Sequence, residues 1–278
     1  MNRNLSVFIL LLCFLCSGCR NKSKLSENIT EISIVATPTP HALILKRIKP
    51  KLEKEGVFLK IIEVDDYKIP NRLVADKQVD ANFFQHILYF ENECRELKYS
   101  ELAILTPVHI EPMGIYSKKN KSLQDFRNDS CPLTIAVPID VTNEKRALDL
   151  LSSLSLIRFK EEKDSLNTAT ARDVYGNERK ITLVEVPAPM LIRSLNDVDL
   201  AVIPGNFALA SGLNPKRDAL FIESIDSLKY VNIVVVRSED SEKPEFVLLK
   251  KYLSDSEIRD FIENEFQGAI EISNFTSS

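Results

Sequence analysis

Residues 31–64 read EISIVATPTPHALILKRIKPKLEKEGVFLKIIEV, and the spacing of apolar residues changes twice along them. Ile32, Ile34 and Ala36 alternate with period two, as one face of a strand does. From His41 to Glu55 the apolar residues Ile44, Ile48 and Leu52 recur at helical spacing, and Phe58 to Val64 (FLKIIEV) returns to a β-branched run. The same alternation continues, with strands expected at Leu102 to Val108, Leu133 to Val137, Ile181 to Val186, Val198 to Ile203, Ala219 to Ile222 and Val231 to Arg237. Helical segments fall between them, for example Asn143 to Leu154, where Ala147, Leu148 and Leu151 share a face. Repeated strand–helix alternation predicts an α/β fold with parallel sheet and helices on both faces. Two C-terminal helices are expected at Lys243 to Leu253 and Ser254 to Phe266, the second opened by Ser254 as N-cap with Glu257 completing a capping box.

No low-complexity linker or internal repeat divides the chain. The Lys118-Lys119-Asn120-Lys121 turn after Tyr116 is the first candidate for a crossing between lobes, and the region near Tyr230 is the second. Two crossings make the first lobe discontinuous, built from residues 31–117 and 231–278, with residues 118–230 as the second lobe.

Upstream of this body, Met1-Asn2-Arg3-Asn4 carries one positive charge, and Leu5 to Cys16 (LSVFILLLCFLC) is apolar. The small residues Ser17 and Gly18 follow. This is the layout of a secretory signal peptide over residues 1–18. Its apolar run is too short for a hydrocarbon core of ~30 Å, which needs about 20 helical residues. A cysteine placed directly after Ser17-Gly18 resembles the lipobox of bacterial lipoproteins, whose cysteine is lipidated and becomes the first residue of the mature chain. Cys19 is that candidate, although Cys16 stands where the pattern prefers Leu. The polar stretch Asn21 to Thr30 (NKSKLSENIT) then reads as part of a lipidated tether over residues 19–30. The expected location is extracytoplasmic, on a bacterial membrane through the lipid anchor, inner or outer left open. Cys13, Cys16 and Cys19 therefore belong to export and not to a metal cluster.

Composition narrows the function further. The chain has 278 residues, 36 Lys+Arg against 40 Asp+Glu and a net charge of −4, which argues against a nucleic-acid partner. None of its seven glycines precedes a lysine, so there is no phosphate-cradling G-x-x-x-x-G-K-[ST] loop, and no G-x-G-x-x-G fingerprint exists. There is no G-x-S-x-G elbow. With no nucleophile, metal set or cofactor loop visible, an enzyme is the last choice and no cofactor is implied. The three histidines, His41, His86 and His109, lie far apart in sequence; two of them could still meet and hold a metal ion with a carboxylate. Cys94 and Cys131 either form a disulfide or stand as two small apolar residues.

Asp80 to Tyr89 (DANFFQHILY) places three aromatic rings and an imidazole at a strand end and helix start, a common ligand position in open α/β sheets. With the helix starting near Gln85, His86 and Tyr89 share a face. Core packing is the ordinary role for each ring.

This stretch, with Thr37-Pro38-Thr39-Pro40-His41-Ala42, Asp66-Tyr67, Pro70-Asn71 and His109-Ile110-Glu111-Pro112-Met113-Gly114, resembles the methionine-binding lipoproteins of the NlpA class. The resemblance continues in order through Tyr116-Ser117-Lys118-Lys119, Thr142-Asn143-Glu144-Lys145-Arg146-Ala147, Gly205-Asn206-Phe207-Ala208, Gly212-Leu213-Asn214-Pro215 and Tyr230-Val231-Asn232-Ile233. It implies a two-lobed, periplasmic-binding-protein-like fold with an interlobe cleft. It also implies delivery of methionine to the permease and ATPase subunits of an ABC importer. By the same resemblance Arg146 holds the ligand carboxylate, because a planar guanidinium can bond both oxygens, and Asn143, one turn earlier, adds a contact. Asn206 and Asn232 bond the ammonium or the carboxylate, and Tyr67, Phe84, His86 and Tyr89 line the side-chain pocket. Pro204-Gly205-Asn206 replaces the usual Asn-Gly-Asn of that class, Lys145 a Gly and Phe207 a Tyr. The ligand is thus expected to be methionine or a closely related amino acid. The competing readings are a metal-ion-binding lipoprotein and a surface lipoprotein with a vestigial cleft.

Overall fold

The computed structural model describes residues 30–119, 122–128, 131–160, 169–176, 180–224 and 228–272. The signal peptide, the Cys19 lipidation site and all but the last residue of the tether lie outside the described residues. The strands are β1 (Thr30–Ala36), β2 (Val57–Glu63), β3 (Ala81–His86), β4 (Leu102–Ile110), β5 (Gly114–Tyr116), β6 (Leu133–Pro138), β7 (Ile157–Phe159), β8 (Val174–Gly176), β9 (Ile181–Val186), β10 (Leu200–Ile203), β11 (Phe221–Ile222), β12 (Val231–Arg237) and β13 (Glu271–Ile272). The α-helices are α1 (Leu43–Lys54), α2 (Pro70–Ala75), α3 (Ile87–Leu97), α4 (Leu123–Asn128), α5 (Val141–Ser153), α6 (Leu191–Ser194), α7 (Gly205–Ala210), α8 (Pro215–Asp218), α9 (Pro244–Leu253) and α10 (Ser256–Phe266).

The opening strand–helix–strand unit forms as its periodicity dictates. β1 pairs in parallel with β2, with Ile32 opposite Leu59 and Ile34 opposite Ile61. Ile44, Leu45, Ile48 and Leu52 of α1 are buried in the same core, with Phe246 and Leu249 of α9 and Ile258 and Ile262 of α10. The first sheet runs in the order β13-β4-β12-β3-β1-β2, the second in the order β11-β5-β10-β6-β9, and β7 and β8 form a separate pair. Each large sheet has its own apolar cluster: Ile34, Ile48, Phe83 and Leu249 in one, Ile135, Leu148, Leu151 and Val202 in the other. The fold is α/β with two lobes, as read from sequence.

The sheets are mixed and not wholly parallel. β12 is antiparallel to both β3 and β4, and β5 is antiparallel to β10. Direction of travel explains this: β1 and β3 run toward the boundary between the lobes, whereas β12 starts there, because the chain has just returned from the second lobe. All seven residues of β12 are buried, so the returning segment sits mid-sheet.

Two further expectations shift. β4 ends in the first sheet at Ile110 and β5 begins in the second at Gly114, so the chain passes across at Glu111-Pro112-Met113. The Lys118-Lys119 turn lies after that passage, exposed, with both ammonium groups tied to second-lobe residues Asn196 and Asp199. Asp255 and not Ser254 caps α10; its carboxylate accepts from the Glu257 N–H at 3.1 Å. Ser254 instead donates its hydroxyl to the Lys250 carbonyl at the end of α9, and the Glu257 side chain is engaged by Arg47 and Lys51. Cys94 is half-buried on α3 and Cys131 is exposed ahead of β6, and no disulfide joins them. No described helix is long and apolar enough to cross a membrane.

Ile48 is fully buried between α1 and the first sheet. Ile48→Ala leaves a cavity there and should lower unfolding stability by about 2–5 kcal/mol, read from the urea midpoint of the purified protein. An unchanged midpoint would show that α1 is not held by this core.

Candidate functional site

The passages between the lobes bring the end of β3 and the start of β12 against the starts of α5 and α7. A small cavity of about 20 Å³ lies between these elements. Tyr67, Phe84, His86, Tyr89 and Asn232 line it from the first lobe; Asn143, Arg146 and Asn206 line it from the second. The eight positions singled out from the sequence thus meet in one place, joined by Gln85, Glu111, Pro204 and Gly205.

The aromatic wall is a contiguous group of rings. Tyr67 lies 5.8 Å from Phe84, 5.9 Å from Tyr89 and 5.2 Å from Phe207, centroid to centroid. Tyr67 donates its hydroxyl to Asn206 Oδ1 across the lobe boundary at 2.7 Å, and Tyr89 donates to the Tyr67 carbonyl at 3.0 Å. Burial pushes both phenols well above the ordinary tyrosine range, so both remain neutral donors.

His86 ends β3 and caps α3, which begins at Ile87, later than the sequence suggested. Its Nδ1 accepts from the Tyr89 N–H at 3.0 Å, so the proton sits on Nε2 and is donated to Asn143 Oδ1 at 3.2 Å. Burial, reinforced by the nearby Arg146 charge, lowers the imidazole pKa to about 3 and keeps it neutral. Asn143 in turn donates both its amide NH₂ and its backbone N–H to Asp140, the N-cap of α5. Asp140 therefore fixes which way the Asn143 amide points.

Arg146, one turn further along α5, is 5% exposed and lies over the Tyr230 ring at 4.1 Å. Its Nε is 2.9 Å from both carboxylate oxygens of Glu223, and its Nη2 reaches Glu223 Oε2 at 2.6 Å and the Glu111 carbonyl at 2.7 Å. Among the described residues Nη1 has no partner. Lys145 does not enter the cavity; it pairs with Asp149 and lies 5.1 Å over the Phe159 ring.

The β-ladder places three polar side chains abreast, with Asn232 on β12 opposite His86 on β3 and His109 on β4. His41 Nε2 lies 3.1 Å from Asn232 Oδ1 and 3.3 Å from Glu111 Oε1, both acceptors, so its Nδ1 accepts from the Thr37 hydroxyl at 2.6 Å. His109 Nε2 is 2.8 Å from Glu111 Oε1. Burial lowers the pKa of His41 to about 4 and that of His109 to about 3. His41, His109 and Glu111 are also the described residues grouped closely enough to hold a metal ion. Of the three histidines, the two that meet with a carboxylate are thus His41 and His109; the His86 ring faces Asn143 instead.

Gly205 lets the start of α7 approach the passage between lobes closely. A Cβ there would meet Glu111 Cβ and the Pro112 carbonyl at 3.0 Å each, so a larger residue would push the two apart by a few tenths of an ångström. Several contributors escaped the sequence reading. Asn71, Asn82 and Gln85 form a buried amide network with bonds of 2.6–3.0 Å that fixes Gln85 in the wall. Their clustering follows from α2 packing on β3, which no local pattern reveals. Glu223 sits alone after a two-residue strand and carried no signal. Glu111 lay inside a quoted motif but was given no role.

Residues 32–272 match the family model described as NlpA lipoprotein. A methionine-binding lipoprotein, MetQ of Bacillus subtilis (strain 168), is 34% identical over 268 residues, 96% of each chain. A nutrient-binding protein from Burkholderia cenocepacia solved bound to methionine is similar with a TM-score of 0.80 and 35% identity, over 87% of this chain and 99% of that one. An ABC-transporter periplasmic substrate-binding protein from Coxiella burnetii gives a TM-score of 0.78 and 34% identity, over 87% of this chain and all of the other. With the family match spanning both sheets and relatives at this identity over nearly their whole length, the chain belongs to the NlpA lipoprotein family.

Proposed function

We propose that this protein is a lipid-anchored, extracytoplasmic solute-binding protein that captures methionine, or a closely related amino acid, and hands it to the permease and ATPase of an ABC importer. The observation that carries the reading is the cavity itself: residues from five separate parts of the chain supply one buried arginine, three amides and an aromatic wall. A free amino acid needs a cation for its carboxylate, acceptors for its ammonium and a surface for its side chain. Arg146 serves the carboxylate through Nη1, the guanidinium donor left over once Glu223 and the Glu111 carbonyl are satisfied. Asn143, Asn206 and Asn232 supply the other polar contacts. Tyr67, Phe84, His86 and Tyr89 enclose the side chain, where a thioether gains about 0.3–1.5 kcal/mol per aromatic contact. The naming of relatives for methionine and a methionine-bound neighbour of the same fold support this choice of ligand. Solute capture, and not catalysis, is what the cleft is built for. Lipidation at Cys19 follows from the lipobox resemblance and the family's lipoprotein character. The first lobe is assigned to the chain before Glu111 and after Tyr230, the second to the segment between them.

Methionine, L or D, should raise the melting temperature, because a ligand at a hundredfold its Kd stabilises the native state by about 2.7 kcal/mol. No rise with any of the twenty amino acids or with methionine dipeptides would sink the proposal. In calorimetric titrations Arg146→Ala should abolish binding. The same variant leaves Glu223 partly buried without its cation and should unfold more easily, by up to about 3 kcal/mol, so circular dichroism must first show it folded at the titration temperature. Normal binding by that variant would remove Arg146 from the carboxylate role. Tyr89→Ala should keep binding but weaken it about tenfold, and should widen the range of side chains accepted, since it opens the wall without touching the charged contact. Unchanged affinity and range would place the side chain elsewhere.

A further inference from the structure

Two imidazoles and a carboxylate converge behind the cavity wall. His41 stands just ahead of α1, His109 is next to last in β4, and Glu111 follows β4 at the start of the outgoing passage. Both histidines are fully buried and Glu111 is 6% exposed. One donor atom from each lies within 4.8 Å of the other two. His41 Nε2 is 3.3 Å and His109 Nε2 2.8 Å from the same oxygen, Glu111 Oε1. An ion held at about 2.0–2.1 Å by two tetrahedral ligands sets them about 3.3–3.4 Å apart. That is already the spacing of His41 and Glu111, and the His109 contact has to lengthen by about half an ångström. Three protein ligands are also the number that open zinc sites use.

Both rings can present the lone pair that an ion needs. Each is neutral, the form in which imidazole binds a metal, and each carries its proton on Nε2, so that proton has to move to Nδ1. At His41 the Thr37 hydroxyl, 2.6 Å from Nδ1, can accept a hydrogen bond as well as donate one. At His109 the Nδ1 atom has no partner among the described residues, so a proton placed there breaks no bond. Glu111 supplies the negative charge; Arg146 bonds its backbone carbonyl and leaves the carboxylate to the two rings. Because Glu111 also lines the cavity, the cleft is the way in for an ion. His86 takes no part, since its nitrogens are engaged by Asn143 and by the Tyr89 N–H.

We propose that His41, His109 and Glu111 form a site for one divalent transition-metal ion of the zinc class, which ties the outgoing passage to the end of β4 and to the segment ahead of α1. Nitrogen donors favour zinc, cobalt, nickel or copper over calcium and magnesium. Thr37 is a positioning residue that holds the His41 ring by its other nitrogen. The claim does not depend on which solute the cleft binds.

The test titrates chelator-stripped protein, carrying no added histidine tag, with zinc chloride and with cobalt chloride. Wild type should take up one equivalent per chain, and the cobalt form should show the intense visible bands of a four- or five-coordinate ion in place of the pale aqua ion. His109→Phe, which keeps a planar ring, and Glu111→Gln should each weaken zinc by at least about 100-fold, and Thr37→Val by about tenfold. Excess calcium or magnesium should not displace it. No uptake, uptake indifferent to both ligand variants, or displacement by calcium would each overturn the site. Should the variants fail to fold, nitrogen NMR of the wild type decides. The chain has three histidines; with zinc, two should show a ligated Nε2 and a protonated Nδ1 while His86 keeps its Nε2 proton, and any other pattern overturns the assignment. Methionine binding by the stripped protein is measured separately, so its failure would refute the function proposed above and leave the metal site standing.

Discussion

The guanidinium of Arg146 ties together both segments that join the lobes. Its Nη2 bonds the Glu111 carbonyl on the outgoing passage, and with Nε it grips Glu223, which precedes the returning one. Glu223 also accepts from the Met113 N–H on the outgoing passage at 3.0 Å, so one ion pair fixes two stretches of backbone. A pair such as this, buried at Arg146 and partly buried at Glu223, adds little net stability over apolar residues of similar volume, yet removing one partner is costly because the other is stranded. That asymmetry suits a joint that must be defined without being rigid. The separation between the sheets, and with it the dimensions of the cavity, is set where these contacts are made.

The second determinant is the place of β12 in the first sheet. Inserted between β3 and β4, it returns the chain to the core of the lobe from which it departed and brings Asn232 level with His86 and His109. Three polar residues side by side at the end of a buried sheet would be unfavourable unless each found a partner. Partners come from three directions: Asn143 for His86, His41 for Asn232, and Glu111 for His109. The polarity needed for recognition is thereby assembled in an apolar setting without abandoning its hydrogen bonds, save His109 Nδ1, which is buried with none.

The alternation of strands and helices was legible because each element's period survives in the fold: Ile44, Ile48 and Leu52 face the core as their spacing required. Strand direction was not legible, since β12 alternates no differently for being antiparallel. The passage at Glu111-Pro112-Met113 was missed for a physical reason. Solvent-facing lysines mark a surface turn, whereas a crossing beside a buried cleft is itself buried, as Glu111, Pro112 and Met113 all are. That these eight positions meet at one cavity was legible through resemblance, because aromatic rings, amides and one arginine stand in quoted motifs. Glu223 and the Asn71–Asn82–Gln85 network were not, because their roles exist only through contacts between elements remote in sequence. The replacement of Gly by Lys145 proved neutral for the cavity, since its ammonium turns away to Asp149.

Two hydrogen bonds cross between the lobes inside the cavity, Tyr67 to Asn206 and His86 to Asn143. Each joins side chains that a ligand would also touch, so a hydrogen bond from the ligand to one of these groups replaces one within the protein, and the net stabilisation per such bond is small. Discrimination must then come from terms that the closed protein does not already satisfy. These are the Nη1 of Arg146, without a partner among the described residues, and the apolar faces of Tyr67, Phe84 and Tyr89. The amides have a different function: by bonding either each other's lobe or the ligand, they make closure of the cleft and occupation of it draw on the same groups. Beyond Tyr67 and Tyr89 the space widens into a mouth lined by Asp66, Glu93, Asp140, Ile139 and Pro187 from both lobes. Parting the two interlobe bonds would open the cavity into that mouth, so a ligand held there could leave only once these same contacts break.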